Sequence, residues 1–196
     1  MATVIKSAEK DAPALHGNSK KIADGIGASF AEGPTKTLKR VMEKINRDYN
    51  GDVSKISEIK DIVRNTIVPK NASQLAAAIE SVGNLNLTRP IKIQTPEDFA
   101  GYSGRVANVK LPGGGTGEVQ IVSPEMFFGK MLPETSLKTL GKAEFDRIAK
   151  ASGVKPGIGH VIYQKMQAAM EANDPTLFKK YEKESQDYYA HLSRLQ

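Results

Sequence analysis

Lys36, Arg40 and Lys44 recur at every fourth position, and Asp61 and Arg64 follow; further along come Tyr102, the pair Glu118 and Gln120, and the pair His160 and Tyr163. Basic groups four apart lie on one face of a helix, and a cationic ridge of that kind suits a polyanion. The charge distribution points the same way. Of a formal net charge of +6, residues 34–72 carry nine basic against five acidic side chains, whereas 1–33 and 73–133 are balanced and 134–196 carry ten against eight. Arg64 interrupts the β-branched run Ile62–Val68, read as a central strand. A guanidinium buried there without an anion would be costly.

The elements that must position these groups follow from hydrophobic period. Leu38, Val41, Met42 and Ile45 predict a helix starting at Pro34, with Lys36, Arg40, Glu43, Lys44 and Arg47 on its opposite face. After the strand at 62–68 comes a helix from an N-cap at Ser73 through Val82, then strands at 85–94, 105–111 and 118–122. The loop 112–116, Pro-Gly-Gly-Gly-Thr, lacks the Lys-Ser/Thr of a phosphate-binding loop, so its glycines are read as turn residues. With that loop, Lys110 faces Glu118 and Asn108 faces Gln120. Ala107, Val109, Leu111, Val119 and Ile121 form the core face, and the polar face lies flush with Tyr102. Helices are predicted at 136–151, 159–172 and from Pro175 onward. Residues 1–33, small, polar and glycine-dotted, read as a partly helical arm or linker before a domain at 34–196. The sum is an α/β (α+β) layer protein with a mixed, largely antiparallel sheet of about four or five strands flanked by helices.

Composition excludes other chemistries. The absence of Cys removes disulfides, thiolate metal sites and a Cys nucleophile, and three widely separated His without metal-ligand spacing argue against zinc. With 39% hydrophobic and 26% charged residues the chain is of globular rather than disordered type. It contains no long apolar run and no signal-peptide core, so a soluble protein acting in a cytoplasm, without a membrane partner, is expected.

Several motifs, in order, resemble RelA/SpoT-type alarmone synthetases. Asp61-Ile62-Val63-Arg64 resembles their Asp-x-x-Arg strand start, Gly101-Tyr102-Ser103-Gly104 their Gly-Tyr-x-Ser/Gly loop, and Glu118-Val119-Gln120-Ile121 their Glu-Ile-Gln-Ile strand. Lys36-Thr37-x-x-Arg40-x-x-x-Lys44 is similar to the helix that lies against ATP, Ser123-x-x-Met126 to the Thr-x-x-Met after the Gln strand, and His160-x-x-Tyr163 to the His-x-x-Tyr of the next helix. The resemblance covers about residues 34–168.

The resemblance implies a nucleotidyltransferase-like synthetase fold and transfer of pyrophosphate from ATP to the ribose 3′-hydroxyl of an acceptor nucleotide. It implies ATP binding by Lys36, Arg40, Lys44 and Arg64, Mg²⁺ held by Asp61 and Glu118, and catalysis by Glu118 as base with Asp61 and Arg64. Acceptor contacts would come from Tyr102 as a stacking face and from Asn108, Gln120, His160 and Tyr163. Pro96 to Ala100 lack the basic residue usual before the Gly-Tyr, and Val122 replaces an Arg, which leaves the acceptor open: an adenine nucleotide, GDP or GTP, or the tRNA 3′ end. The short acceptor loop leans toward toxic small synthetases, hence toward an antitoxin or immunity protein as partner and toward the cytoplasm of the producing or a target cell. A non-catalytic nucleic-acid-binding module is the reading from another class.

Overall fold

The computed structural model describes residues 2–98 and 100–196; Phe99, in the stretch before Gly101, lies outside them. Among the described residues, one sheet has the order β1-β2-β5-β4-β3, with β1 Ser29–Glu32, β2 Arg64–Val68, β3 Lys92–Gln94, β4 Gly104–Lys110 and β5 Thr116–Ile121. β1 and β4 run antiparallel to their neighbours β2 and β5, and β2 is parallel to β5. This is the mixed, helix-flanked α+β sheet expected from the pattern. The chain divides into two compact units, Met1–Lys92 with Arg105–Ile121, and Ile93–Gly104 with Val122–Gln196.

In the first unit, residues 1–33 are not a loosely attached arm. They supply the helix α1 (Ala2–Ile26) and the edge strand β1. Ile5, Ala8, Ala12, Leu15 and Ala23 of α1 belong to one core cluster with Ile67, Val119 and Ile121 of the sheet. The stripe is mostly alanine, which lets the helix approach closely while giving little hydrophobic signal. The glycine loop docks on this helix: Gly113 N donates to Asp11 Oδ2 at 2.9 Å, and a Cβ at Gly113 would meet Ser7 and Asp11. Turn geometry therefore explains Gly114, with φ +87°, but close packing explains Gly113.

The helix α2 (Leu38–Tyr49) begins four residues later than Pro34, capped by Thr37 Oγ1, which accepts from Arg40 N. Val41 and Ile45 are buried as predicted, but Leu38, now in the first turn, is 48% exposed. A 3₁₀ turn, Val53–Glu58, leads to β2. The next helix, α3 (Ala72–Gly83), is capped by Asn71 rather than Ser73, through a bond from Gln74 N at 2.9 Å. The predicted strand 85–94 shrinks to β3 and an isolated bridge from Leu87 to Val109.

The hairpin register differs from the predicted one by two residues. Lys110 pairs with Thr116, Asn108 with Glu118, and Val106 with Gln120. Leu111 N bonds Gly115 O, so the turn closes one residue pair earlier. A shift of two preserves the faces, and the predicted core set is buried. It changes the neighbour of Glu118, which is Asn108 and not Lys110.

In the second unit, the predicted single helix at 136–151 is two, α5 (Pro133–Leu140) and α6 (Lys142–Ser152), separated by Gly141 at φ 78°, and an unpredicted short helix, α4 (Pro124–Lys130), precedes them. Ser123 Oγ accepts from Met126 N at 3.3 Å, so Ser123-x-x-Met126 is a helix cap. The unit closes with α7 (Ile158–Glu171) and α8 (Pro175–Ser193), close to their predicted spans.

Candidate active site

Segment 33–36 runs beside the start of β2, with Gly33 N bonded to Arg64 O at 2.9 Å and Lys36 N to Ile62 O at 2.8 Å. Only a glycine allows this approach, because a Cβ at position 33 would lie 2.7 Å from the Arg64 carbonyl oxygen. Lys36 is thus fixed by backbone pairing rather than by the helix to which its spacing assigned it. Lys44 comes from the second turn of α2, and Asp61 from the bend before β2, where two-residue alternation has not begun.

These three residues converge. Asp61 accepts from Lys44 Nζ on Oδ1 at 2.9 Å and pairs with Lys36 Nζ through Oδ2 at 3.0 Å. The side chains are 16–25% exposed, so this clamp is partly shielded from water. Burial acts to raise the Asp61 carboxyl, but the Lys44 and Lys36 ammonium groups outweigh it and hold the group below its ordinary value. Lys36 sits below the usual lysine range because burial, with Arg64 adding to it, exceeds the help from Asp61. Two ammonium groups thus share one carboxylate, with the Arg64 guanidinium acting on Lys36 as a further positive charge, and the excess calls for an anion.

Arg64 starts a row across the sheet. It is the register partner of Glu118, which is in turn the partner of Asn108, all on the face opposite the core set. Arg64 has no ion pair among the described residues. Glu118 Oε1 accepts from Gln120 Nε2 at 2.6 Å, the two being neighbours on one face of β5. Asn108, expected among the acceptor contacts, is 1% exposed, with neither Oδ1 nor Nδ2 paired, so its carboxamide is closed to a ligand in this state. Leaving such a group unpaired costs about 1–3 kcal/mol. Arg40 does not join the clamp: it is 68% exposed and reaches only Glu43, at 3.5 Å. Beside Gly33 and Thr35, an open cleft of about 520 Å³ is lined by Glu9, His16, Lys20 and Glu32. Burial lowers the His16 imidazole below its ordinary value, against the pull of Glu32.

The second unit holds the remaining expected residues. Tyr102 is 8% exposed, meets Tyr189 edge to face at 5.3 Å, and carries Lys130 Nζ 4.5 Å from its ring centre. Lys130 also donates to its hydroxyl at 3.4 Å. The expected open stacking face is therefore covered, because a cation occupies it. Lys130, which has no counterpart in the motifs, is the residue that sequence reasoning missed. His160 and Tyr163 lie one turn apart on α7, both exposed, His160 Nε2 within 3.1 Å of Gln164 Nε2 and the Tyr163 hydroxyl accepting from Gln167. Among the described residues no helix is long and apolar enough to cross a membrane.

The fold has clear counterparts among solved structures. The small alarmone synthetase 1 from Bacillus subtilis bound to its product pppGpp superposes with a TM-score of 0.63 at 15% identity, covering 99% of this chain and 91% of that one. A GTP pyrophosphokinase family protein from Streptococcus pneumoniae gives 0.52 at 14% identity, with coverages of 98% and 84%. These likenesses define the class, an alarmone-synthetase fold. Sequence narrows it further: the chain is 35% identical over 158 residues to the (p)ppApp synthetase toxin Tas1 of Pseudomonas aeruginosa (strain UCBPP-PA14). The crystal structure of the complex between the type VI effector Tas1 and its immunity protein matches with a TM-score of 0.80 at 27% identity, covering 98% of this chain and 96% of that one. The chain is a RelA/SpoT-type synthetase domain. The aligned part is 78% of this chain and 35% of the length of the curated relative. No family model matches it.

Proposed function

We propose that the chain transfers the β,γ-pyrophosphate of ATP to the ribose 3′-hydroxyl of an adenine nucleotide and acts as a growth-inhibiting toxin. The observation that carries this reading is the convergence of Lys36 and Lys44 on Asp61 next to Arg64. Adenine is preferred over guanine because of the relative named a (p)ppApp synthetase toxin. An immunity protein as partner and the cytoplasm as site of action are part of the same proposal, supported by the likeness to an effector solved with its immunity protein.

In this reading the donor triphosphate takes over Lys36 and Lys44 from Asp61, and Arg64 offsets charge building on the leaving group. The 3′-oxygen attacks the β-phosphorus, the bond from that phosphorus to the oxygen bridging to the α-phosphate breaks, and AMP leaves. Glu118 takes the hydroxyl proton. Asp61 and Glu118 are the carboxylates to hold Mg²⁺. Magnesium commonly uses one or two protein carboxylates, so with no cluster of three or more His, Asp or Glu among the described residues, phosphate oxygens and water would complete the set. When bound, the ion supplies charge neutralisation on the phosphates. Tyr102 is proposed as the acceptor's stacking face once Lys130 withdraws from its ring, with His160 and Tyr163 as further acceptor contacts.

The test is incubation of the protein with labelled ATP, Mg²⁺ and, in turn, AMP, ADP, GDP and bulk tRNA. Label on adenine nucleotides supports the reading. Label confined to GDP or to tRNA would replace the acceptor, and no label on any would remove the enzyme reading.

A further inference from the structure

Asn108 lies in the middle of β4, buried to 1%, with both ends of its carboxamide unpaired. Its backbone carbonyl oxygen accepts from Thr88 N at 2.8 Å and from Thr88 Oγ1 at 3.3 Å, whereas its carboxamide has no partner. A leucine of similar bulk would suit a buried strand position better, because replacing a partnerless polar group by an apolar one removes its desolvation penalty. Such a local fault on the sheet face that carries Arg64 and Glu118 marks a functional demand.

We propose that Asn108 is a positioning residue for Glu118, an inference that rests on the pyrophosphokinase reading. Glu118 stands directly opposite Asn108 in the β4–β5 register, at the separation where cross-strand side chains touch. In the present state its carboxylate is drawn along the strand to Gln120 Nε2 at 2.6 Å. A change of the Glu118 rotamer carries the carboxylate from Gln120 to Asn108 Nδ2, releasing the Gln120 amide for the acceptor. A carboxamide suits the task, since it donates a hydrogen bond without the positive charge that would quench a base. A Lys or Arg at position 108 would do the opposite. Asn108 thus holds the general base in the working rotamer and does not itself touch the acceptor.

The variants Asn108→Leu and Asn108→Thr test this, with 3′-deoxy-ATP as a donor that cannot serve as acceptor, and AMP as acceptor. Asn108→Leu should raise the thermal midpoint of the nucleotide-free protein and lower kcat about 10- to 100-fold, with both KM values within about twofold of wild type. Asn108→Thr, which keeps a donor, should recover most of kcat. Wild-type kcat in Asn108→Leu, equal loss in both variants, a raised acceptor KM at unchanged kcat, or a lowered midpoint of Asn108→Leu would each overturn the inference. The wild-type assay keeps the two readings apart: an inactive wild type sinks the pyrophosphokinase reading, whereas an active wild type with an equally active Asn108→Leu sinks only the role of Asn108.

Discussion

Replacing Asp61 by Asn keeps the shape of the clamp and removes its only negative charge. Lys36 and Lys44, at 3.0 and 2.9 Å from the carboxylate, then face each other across a neutral amide, with Arg64 adding to the repulsion on Lys36. At those distances and an effective dielectric near 20, each pair has about 5 kcal/mol of attraction. Most of this is offset by desolvation of side chains only 16–25% exposed, so the net loss on breaking the clamp is about 2–4 kcal/mol. For a chain of this size that corresponds to a drop of about 5–15 °C in Tm. The stranded cations should then bind an anion more avidly. Inorganic tripolyphosphate at about one hundred times its Kd adds about 2.7 kcal/mol and should restore much of the lost stability in Asp61→Asn, while shifting wild type less. The assay is thermal unfolding with and without tripolyphosphate. A variant within about a degree of wild type that ignores tripolyphosphate would refute the view that Asp61 stands in for the donor phosphates.

Gly33→Ala should cost about 1–3 kcal/mol by chemical denaturation, since the new methyl meets the Arg64 carbonyl oxygen at 2.7 Å; a neutral effect would mean that segment 33–36 can move off β2. The depressed His16 group gives a pH dependence. The unfolded imidazole protonates first as the pH falls below about 6.5, so folded stability should decline between about pH 7.5 and the lower folded value, and His16→Gln should flatten that decline. Equal pH slopes in both proteins would contradict the burial of His16. Tyr102→Ala, assayed with 3′-deoxy-ATP as donor, should raise the acceptor KM far more than the donor KM, and equal effects on both would argue against a stacking role after Lys130 withdraws.

What was legible in the chain was legible through contrast. The β-branched run broken by Arg64, the alternation of Val119 and Ile121 with Glu118 and Gln120, and the pair Val41 and Ile45 all stand out against polar neighbours, and all occupy the expected faces. The buried stripe of α1 does not stand out, because Ala8, Ala12, Ser19 and Ala23 differ little in hydropathy from their surroundings; what buries them is close approach. The hairpin faces were readable but the register was not, since a slip of two preserves every inward side chain. The residue types of the site were likewise readable. Their connections were not: that Lys36 is held by strand pairing, that Lys130 covers Tyr102, and that Asn108 is sealed from solvent depend on elements far apart in sequence.

The central claim is that pyrophosphate moves as a unit from ATP to a 3′-hydroxyl. Supplying AMP with ATP labelled separately on the β- and γ-phosphates tests it most directly. Transfer of both labels to the acceptor in equal amount, with one unlabelled AMP released per product, is the predicted result, and Glu118→Gln should abolish it while leaving the fold intact. Transfer of the γ-label alone with release of ADP, or of neither label, would contradict the account.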